Sequence, residues 1–295
     1  MILVFFLNIF SKILFILPTH FFYALSSIIA WFLAHVIRYR KKVIEENIQK
    51  SFPHFTKKEV QIIKNQFYQN LTDQFLEMLI MASESYDWIN KRYEIDVNHL
   101  NQLYDENRSV LMVLGHQFNW EWGLWLLTKK TPFHVQGVYM PIKNSYINRW
   151  LVKIRSKYGA EMVPANNVRT LIKPPVNKPT LTLIIGDQSP ANLDRCLWTN
   201  FLNQETAFIN AYEKIAMKRK MAVVFIEVIK KSQGNYKTPY FVFTKDASQL
   251  KPNELVMNFV RFLENSIKKN PSNWLWSHRR WKHKKTNSEC DTHKN

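Results

Sequence analysis

The amino-terminal segment constrains this chain more than any other feature of its sequence. Residues 1–37 form an apolar run whose only formal charge is Lys12, and Pro18 divides the run in two. The second part ends at a basic cluster, residues 38–42. A helix needs roughly 20 apolar residues to cross a bilayer, and neither part has a polar face, so we expect a membrane anchor. One span with an interfacial helix and a shallow pair of helices broken at Pro18 both fit.

The basic cluster also indicates an orientation, because Lys and Arg beside a membrane segment favour its cytoplasmic side. A cleaved secretory signal fits poorly, since the apolar run is too long and no small-residue cleavage site precedes the cluster. We therefore expect residues 1–42 to be the anchor, residues 43–284 to form one domain, and residues 285–295 to be a polar tail.

The charge balance narrows the class of partner. The chain has 41 Lys and Arg against 23 Asp and Glu, a formal net charge of +18. Such an excess favours nucleic acid, an anionic membrane or an acidic carrier protein. We expect no nucleic acid, because the anchor removes the chain from the bulk cytosol and no recognised nucleic-acid module is present. Cys196 and Cys290 give no disulfide framework and fit a reducing compartment.

Helical spacing at residues 43–84 gives way to an alternation of strand and helix patterns. This alternation predicts an α/β domain, with a central, largely parallel sheet flanked by helices on both faces. The expected strands are residues 109–114, 135–139, 181–185, 222–228 and 240–243. The expected helices are residues 120–128, with Asn119 as the cap, and residues 146–158, 206–220 and 254–268.

Two reactive side chains follow the ends of expected strands. His116 comes shortly after residues 109–114, and Asp187 shortly after residues 181–185. In parallel sheets, ligands bind beyond the carboxyl ends of the strands. We therefore expect His116 and Asp187 to open into the same crevice.

A second carboxylate lies close to His116 along the chain. Residues 115–123 read G-H-Q-F-N-W-E-W-G, which places Glu121 five positions after His116. A carboxylate that accepts a hydrogen bond from one imidazole nitrogen leaves the other nitrogen available as a base. The spacing thus suggests a His116/Glu121 dyad, although a lone His at a strand end is more often structural.

Five blocks carry a resemblance to a known family. They are the apolar anchor, the His116 to Glu121 spacing, Y-M-P-I-K-N at 139–144 followed by R-W-L-V-K-I-R at 149–155, G-D-Q-S-P at 186–190, and W-L-W-S-H-R-R-W-K-H at 274–283. In their order and spacing, over most of the chain, they resemble the late acyltransferases of lipid A biosynthesis. These lauroyl and myristoyl transferases belong to the lysophospholipid acyltransferase superfamily, whose fold is the expected one.

The resemblance implies transfer of a fatty acyl group from acyl carrier protein to a hydroxyl of a lipid A precursor. It places the enzyme at the cell inner membrane, with its domain on the cytoplasmic face. His116 would be the general base and Glu121 its orienting partner. Arg155 would stabilise an oxyanion or hold a phosphate. Asp187 would position His116, the acceptor or the arginine, or it would only cap a turn.

Three further arginines are implied in substrate binding. Arg149 lies in the cationic helix block, and Arg279 and Arg280 lie in the carboxyl-terminal block, where they would bind lipid phosphates or an acidic carrier. We expect no cofactor and no metal, because the sequence has no H-E-x-x-H, no paired C-x-x-C and no Gly-rich phosphate loop.

Two alternatives to the lipid A reaction stay open at this point. The first is acylation of another amphipathic acceptor, such as a lysophospholipid or an aminolipid. The second is a catalytically silent, basic membrane-binding protein that keeps the fold. Loss of catalysis in His116→Ala, with membrane binding intact, would separate an enzyme from the second alternative.

Overall fold

The computed structural model describes residues 2–83, 85–172, 177–193 and 196–285. Cys290 and residues 286–295 of the expected tail lie outside these residues. In chain order the α-helices are α1 (Ile2–Ile16), α2 (Thr19–Phe32), α3 (Lys41–Ser51), α4 (Lys57–Ile80), α5 (Tyr86–Asn90), α6 (Asn98–Asp105), α7 (Trp120–Lys130), α8 (Ser145–Arg155), α9 (Ala211–Lys218) and α10 (Glu254–Lys269). A π-helical turn occupies Leu33–Ile37, and short 3-10 helices occupy Ala165–Ile172, Ala247–Gln249 and Pro271–Asn273.

The amino-terminal segment is a pair of apolar helices, as the sequence predicts. Pro18 separates α1 from α2, because proline cannot donate the backbone hydrogen bond that a continuous helix needs. Together with the π-helical turn, α2 runs over Thr19–Ile37, which is long and apolar enough to cross a membrane by length and composition. α1 is apolar but shorter.

One face of α2 packs on the body of the protein. Tyr23 donates a hydrogen bond of 2.8 Å to Glu77, and Ser26 donates one of 2.5 Å to Asp73, both on α4. The opposite face is apolar and exposed, which suits a hydrocarbon or interfacial environment. Exposed apolar side chains on the two anchor helices include Phe5, Phe6, Ile13, Ile28 and Trp31.

The sheets contain eleven strands within the described residues, numbered β1 to β11. They are β1 (Tyr93–Glu94), β2 (Val110–Leu114), β3 (His134–Tyr139), β4 (Glu161–Pro164), β5 (Thr180–Ile185), β6 (Cys196–Phe201), β7 (Gln204–Ile209), β8 (Ala222–Ile226), β9 (Ile229–Ser232), β10 (Asn235–Lys237) and β11 (Tyr240–Thr244).

The central sheet of the described chain has six strands in the order β11-β8-β2-β5-β3-β4. Neighbouring strands are parallel except for β11, which pairs antiparallel with β8 at one edge. The largely parallel sheet predicted from the sequence is therefore confirmed in part, since the observed sheet is mixed. β1, β10 and β9 form a small separate sheet, and β6 pairs with β7 in a hairpin.

Both faces of the central sheet are covered, which explains the unbroken apolar run of β2. Val110, Met112 and Leu114 pack into one hydrophobic cluster, and Leu111 and Val113 pack into the other. Alternate side chains of a strand point to opposite faces, so a strand buried on both sides needs apolar residues throughout.

Most of the expected elements are present, but one was wrong in part. The expected helix at residues 206–220 is instead strand β7 followed by helix α9, which begins at Ala211. Phe208, Tyr212 and Ile215 are all buried and have helical spacing, although Phe208 belongs to the strand. The turn that makes the hairpin holds Leu202 and Asn203 at positive φ, which the sequence pattern did not reveal.

Candidate active site

His116 and Asp187 meet at the carboxyl ends of two adjacent parallel strands. β2 ends at Leu114 and β5 ends at Ile185, and these two residues are register partners. One glycine follows each strand and precedes the reactive side chain. His116 Nδ1 lies 2.6 Å from Asp187 Oδ1, and the backbone N–H of His116 donates to Asp187 Oδ2 at 2.9 Å. The structure thus brings together the two side chains that follow these strands.

Asp187 is a buried carboxylate surrounded by donors. Besides the two bonds from His116, it accepts a hydrogen bond of 2.6 Å from the indole Nε1 of Trp274. Burial raises the pKa of Asp187, but the charge of His116 and these hydrogen bonds outweigh burial and lower it to about 2. The carboxylate is therefore ionised at neutral pH, and it favours the tautomer of His116 that carries its proton on Nδ1.

The imidazole of His116 is oriented at one nitrogen and open at the other. Its side chain is 23% exposed, and Nε2 has no hydrogen-bond partner within the described part of the chain. Burial lowers the pKa of His116, but Asp187 and, less strongly, Glu121 raise it, and the net shift is upward. This arrangement presents the lone pair of Nε2 to a ligand.

A second imidazole lies against His116. The rings of His116 and His278 are nearly parallel, with an interplanar angle of 12° and centroids 6.2 Å apart. Burial and the neighbouring His116 lower the pKa of His278 to about 4, so this ring is neutral at physiological pH. His278 is therefore a neighbour of His116 that adds no positive charge there.

Glu121 does not make the hydrogen bond that its spacing suggests. Asp187 holds Nδ1 of His116, and no direct hydrogen bond joins Glu121 to His116 among the contacts of the described residues. Glu121 Oε1 instead accepts from Arg155 Nη2 at 3.1 Å, and Oε2 accepts from Gln74 Nε2 at 3.1 Å. The carboxylate acts on the imidazole through its charge and on Arg155 through contact.

The turn between His116 and α7 depends on an asparagine with an unusual backbone. Asn119 is the N-cap residue of α7, as expected, but its backbone is left-handed, with φ of 67°, and its side chain makes no cap hydrogen bond. Its amide donates instead to Glu77 Oε2 at 2.8 Å. Glu77 also accepts from Tyr23 at 2.8 Å and from Tyr236 at 2.7 Å, so a buried carboxylate links the turn that follows His116 to helix α2.

Arg155 is the last residue of α8 and lines the same cavity as His116. Its guanidinium carbon is 4.8 Å from the ring centroid of Trp120, and its side chain is 14% exposed. The buried Nε has no partner within the described chain. The stacking and the ion pair with Glu121 hold a planar cation in place at this position.

A cavity of about 230 Å³ opens at this point. Its two basic groups are His116 and Arg155, and the remaining wall is mainly apolar. The other lining residues are Trp120, Val138, Tyr139, Met140, Ile142, Ala165, Ile184, Ile185 and Gln188. Such a site combines a base and a cation with a surface for an alkyl chain.

The carboxyl-terminal block, residues 274–283, also contributes to the site. The backbone N–H of Leu275 donates to the carbonyl of His116 at 3.2 Å, next to the indole bond from Trp274 to Asp187. Asn47 of α3 donates to the carbonyl of His278 at 3.0 Å. The block thus contributes side chains to the site and ties it to the helix that follows the anchor.

Of the three arginines expected to bind substrate, one is buried and two are exposed. Arg280 is 2% exposed and donates to the carbonyl of Ala207 at 2.6 Å, and burial lowers its pKa to about 10. Arg279 is exposed. Arg149 is exposed on α8 and lines a different cavity, which contains neither His116 nor Asp187.

Sequence reasoning missed Trp274 and Gln74 as parts of the site. Trp274 lay within one of the family blocks, but nothing in the sequence shows that its indole points at Asp187. Gln74 lies on α4 and gave no signal, because the amphipathic pattern of that helix does not identify which polar residue faces Glu121. No group of three or more His, Cys, Asp or Glu residues suited to a metal ion occurs within the described residues.

Comparison with known protein families matches nearly the whole chain. A family model described as bacterial lipid A biosynthesis acyltransferase matches residues 1–283, and therefore includes the anchor, the strand-end residues and the carboxyl-terminal block. A search of curated protein sequences gives no match. The match confirms the resemblance drawn from the sequence blocks. The chain belongs to the bacterial lipid A biosynthesis acyltransferase family and is an acyltransferase.

Proposed function

We propose that this enzyme transfers a fatty acyl group from an acyl carrier protein thioester to a hydroxyl of a lipid A precursor, with His116 as the general base. The observation that carries the proposal is the orientation of His116. Asp187 holds Nδ1 at 2.6 Å, while Nε2 has no partner in the described chain and the ring lines a cavity. The family supports an acceptor of the lipid A type.

The reaction needs one base and no covalent enzyme intermediate. Nε2 of His116 takes the proton of the acceptor hydroxyl as its oxygen attacks the thioester carbonyl. A C–O bond forms, and the tetrahedral intermediate then collapses as the C–S bond breaks. The departing thiolate recovers the proton from His116, so the free enzyme is restored. The carboxylate of Asp187 stabilises the imidazolium that exists between these steps.

Arg155 is the group best placed to stabilise the oxyanion. It lines the same cavity as His116 and has a buried Nε without a partner among the described residues. A fixed cation beside developing negative charge stabilises the transition state without reorganisation. Glu121 serves as a positioning residue in this scheme, because its bond of 3.1 Å to Nη2 fixes the direction of the guanidinium.

The anchor and the charge of the chain support the proposed location and donor. An amphipathic acceptor stays in the membrane, and α1 and α2 expose apolar side chains. The basic cluster at residues 38–42 favours a cytoplasmic catalytic domain at the inner membrane. A net charge of +18 is suited to an acidic carrier protein and to anionic lipid.

An acyl-transfer assay tests the proposal with purified components. Acyl carrier protein thioesters of several chain lengths are offered with a tetra-acylated lipid A precursor, a lysophospholipid or an aminolipid. We expect product with the lipid A precursor and its loss in His116→Ala. Turnover with only one of the other acceptors would be compatible with His116 as the base but would contradict the lipid A precursor as the acceptor. No turnover with any acceptor would favour a catalytically silent membrane-binding protein.

A further inference from the structure

A second cavity, larger than the catalytic one, lies between the anchor and α8. Its volume is about 440 Å³, within the range of small-molecule sites. None of His116, Glu121, Arg155 and Asp187 lines it. The lining residues are Val4, Asn8, Met81, Ala82, Tyr146, Arg149, Trp150, Lys153, Ile154 and Lys157. We call this cavity the anchor groove.

Basic side chains line one side of the anchor groove at a regular spacing. Arg149, Lys153 and Lys157 are four residues apart and exposed, so they lie along one side of α8 and its carboxyl-terminal extension. No Asp or Glu is among the described residues that line the groove. The groove is therefore a local concentration of positive charge, suited to an anionic group.

The other side of the groove is mainly apolar and is formed by α1 and by the turn after α4. Val4 and Asn8 come from α1, and Met81 and Ala82 contribute from the turn that follows α4. The indole Nε1 of Trp150 donates to Asn8 Oδ1 at 2.8 Å, which holds α1 against α8. Because the opposite face of α1 is exposed and apolar, an occupant of this groove lies at the level of the membrane surface.

We propose that the anchor groove binds an anionic phospholipid of the membrane, with its phosphate on Arg149 and Lys153 and an acyl chain along Val4 and Met81. A membrane lipid fits better than a protein partner, because the groove is concave and one wall is the anchor helix. It fits better than the reacting acceptor, because the groove contains none of the groups that carry the chemistry. The bound lipid would fix the tilt of the domain on the bilayer.

Lipid binding to the full-length protein in detergent tests this proposal by native mass spectrometry. Phosphatidylglycerol is compared with phosphatidylcholine of the same acyl chains, and we expect about tenfold tighter retention of the anionic lipid. The triple variant R149Q/K153Q/K157Q loses that preference. The control variant K50Q/K57Q/K58Q, with three exposed lysines changed outside the groove, keeps it. Equal loss in both variants would overturn the proposal, because it would show only a response to net charge.

A steric variant tests whether the lipid occupies the groove without changing any charge. Ala82→Trp places a large ring in the groove and leaves all three cations unchanged, so we expect reduced phosphatidylglycerol binding. Unchanged binding in Ala82→Trp would overturn the proposal. So would displacement of phosphatidylglycerol by much lower concentrations of a tetra-acylated lipid A precursor or of acyl carrier protein. These readouts require no turnover, so they are independent of the acyl-transfer reaction.

Discussion

Asp187 Oδ1 lies 2.6 Å from His116 Nδ1, although the two residues are 71 positions apart along the chain. The pair forms because β2 and β5 are parallel neighbours whose last residues are in register. Glu121 is nearer to His116 along the chain, but it is the contact with Asp187 that occupies Nδ1 and leaves Nε2 available. The same contact makes Asp187 the centre of the predictions about catalysis.

Trp274→Phe tests the support of Asp187. The substitution keeps an aromatic ring but removes the N–H donor 2.6 Å from Asp187 Oδ2. Hydrogen bonds to charged groups contribute about 1.5–3 kcal/mol, so we expect kcat to fall about tenfold or more. The control is Trp276→Phe, which removes a partly buried indole bond of 2.5 Å to the carbonyl of Pro271. Steady-state kinetics and melting temperatures of both variants measure the difference. Equal loss of kcat in the two would contradict a specific role for Trp274.

Arg155→Met tests stabilisation of the oxyanion. We expect kcat to fall about 10²–10³-fold, with a smaller change in KM, because the cation acts on charge that develops in the transition state. Arg155→Lys keeps the charge but loses the planar fork that Glu121 holds, so we expect partial activity. A rise in KM with kcat unchanged would instead indicate that Arg155 only binds substrate.

Glu121→Gln tests whether Glu121 acts through Arg155. The variant weakens the 3.1 Å ion pair between the two side chains, and we expect a smaller loss of kcat than in Arg155→Met. If Glu121 acts through the arginine, the double variant is no worse than Arg155→Met alone, so the two effects are non-additive. Fully additive losses of kcat in this double-mutant cycle would contradict the proposed coupling.

Glu77→Gln tests a pH-dependent contribution to stability. Burial, with the charge of Asp73, raises the pKa of Glu77 from 4.5 to about 7, despite its hydrogen bonds. The folded protein therefore binds a proton more tightly than the unfolded chain, so the stabilisation from Glu77 is full below pH 4.5 and is lost as pH rises through about 7. We expect the free energy of unfolding to decrease less steeply over this interval in Glu77→Gln.

The pH slope of Glu77→Gln needs a carboxylate control. The side chain of Glu46 is 50% exposed, and its nearest cation, Lys42, is 4.0 Å away. Glu46→Gln should therefore leave the pH dependence of the free energy of unfolding as in the wild type. Denaturant unfolding of the detergent-solubilised proteins at several pH values measures both. A wild-type slope retained in Glu77→Gln would show that another group is responsible.

The sequence was sufficient for the elements with a strong pattern. The apolar run of β2 and the amphipathic spacing of α10 predicted those elements closely, because their burial determines their residues. The position of His116 and Asp187 after two strands followed from the same patterns. β7 was not predicted, because Phe208, Tyr212 and Ile215 imitate a helical stripe across the junction of a strand and a helix.

The sequence did not decide which carboxylate bonds to His116, since positioning His116 was only one of several roles open to Asp187. Spacing along the chain favoured Glu121, but strand register brings Asp187 closer, and register depends on the whole sheet. The left-handed backbone of Asn119 and its bond to Glu77 shape the turn between His116 and Glu121. The indole of Trp274 comes from a distant block whose path depends on tertiary packing.

The most direct test of the central claim is the pH dependence of kcat in the wild type, Asp187→Asn and Glu121→Gln. With neutral His116 as the proposed base, kcat is expected to rise with pH through the pKa of this residue, which Asp187 raises more than Glu121 does. We predict that Asp187→Asn lowers kcat about 10³–10⁴-fold and shifts the rising part of the kcat–pH profile to lower pH. Glu121→Gln should shift the profile less. A larger shift in Glu121→Gln, with Asp187→Asn near wild-type activity, would contradict the proposal that Asp187 orients His116.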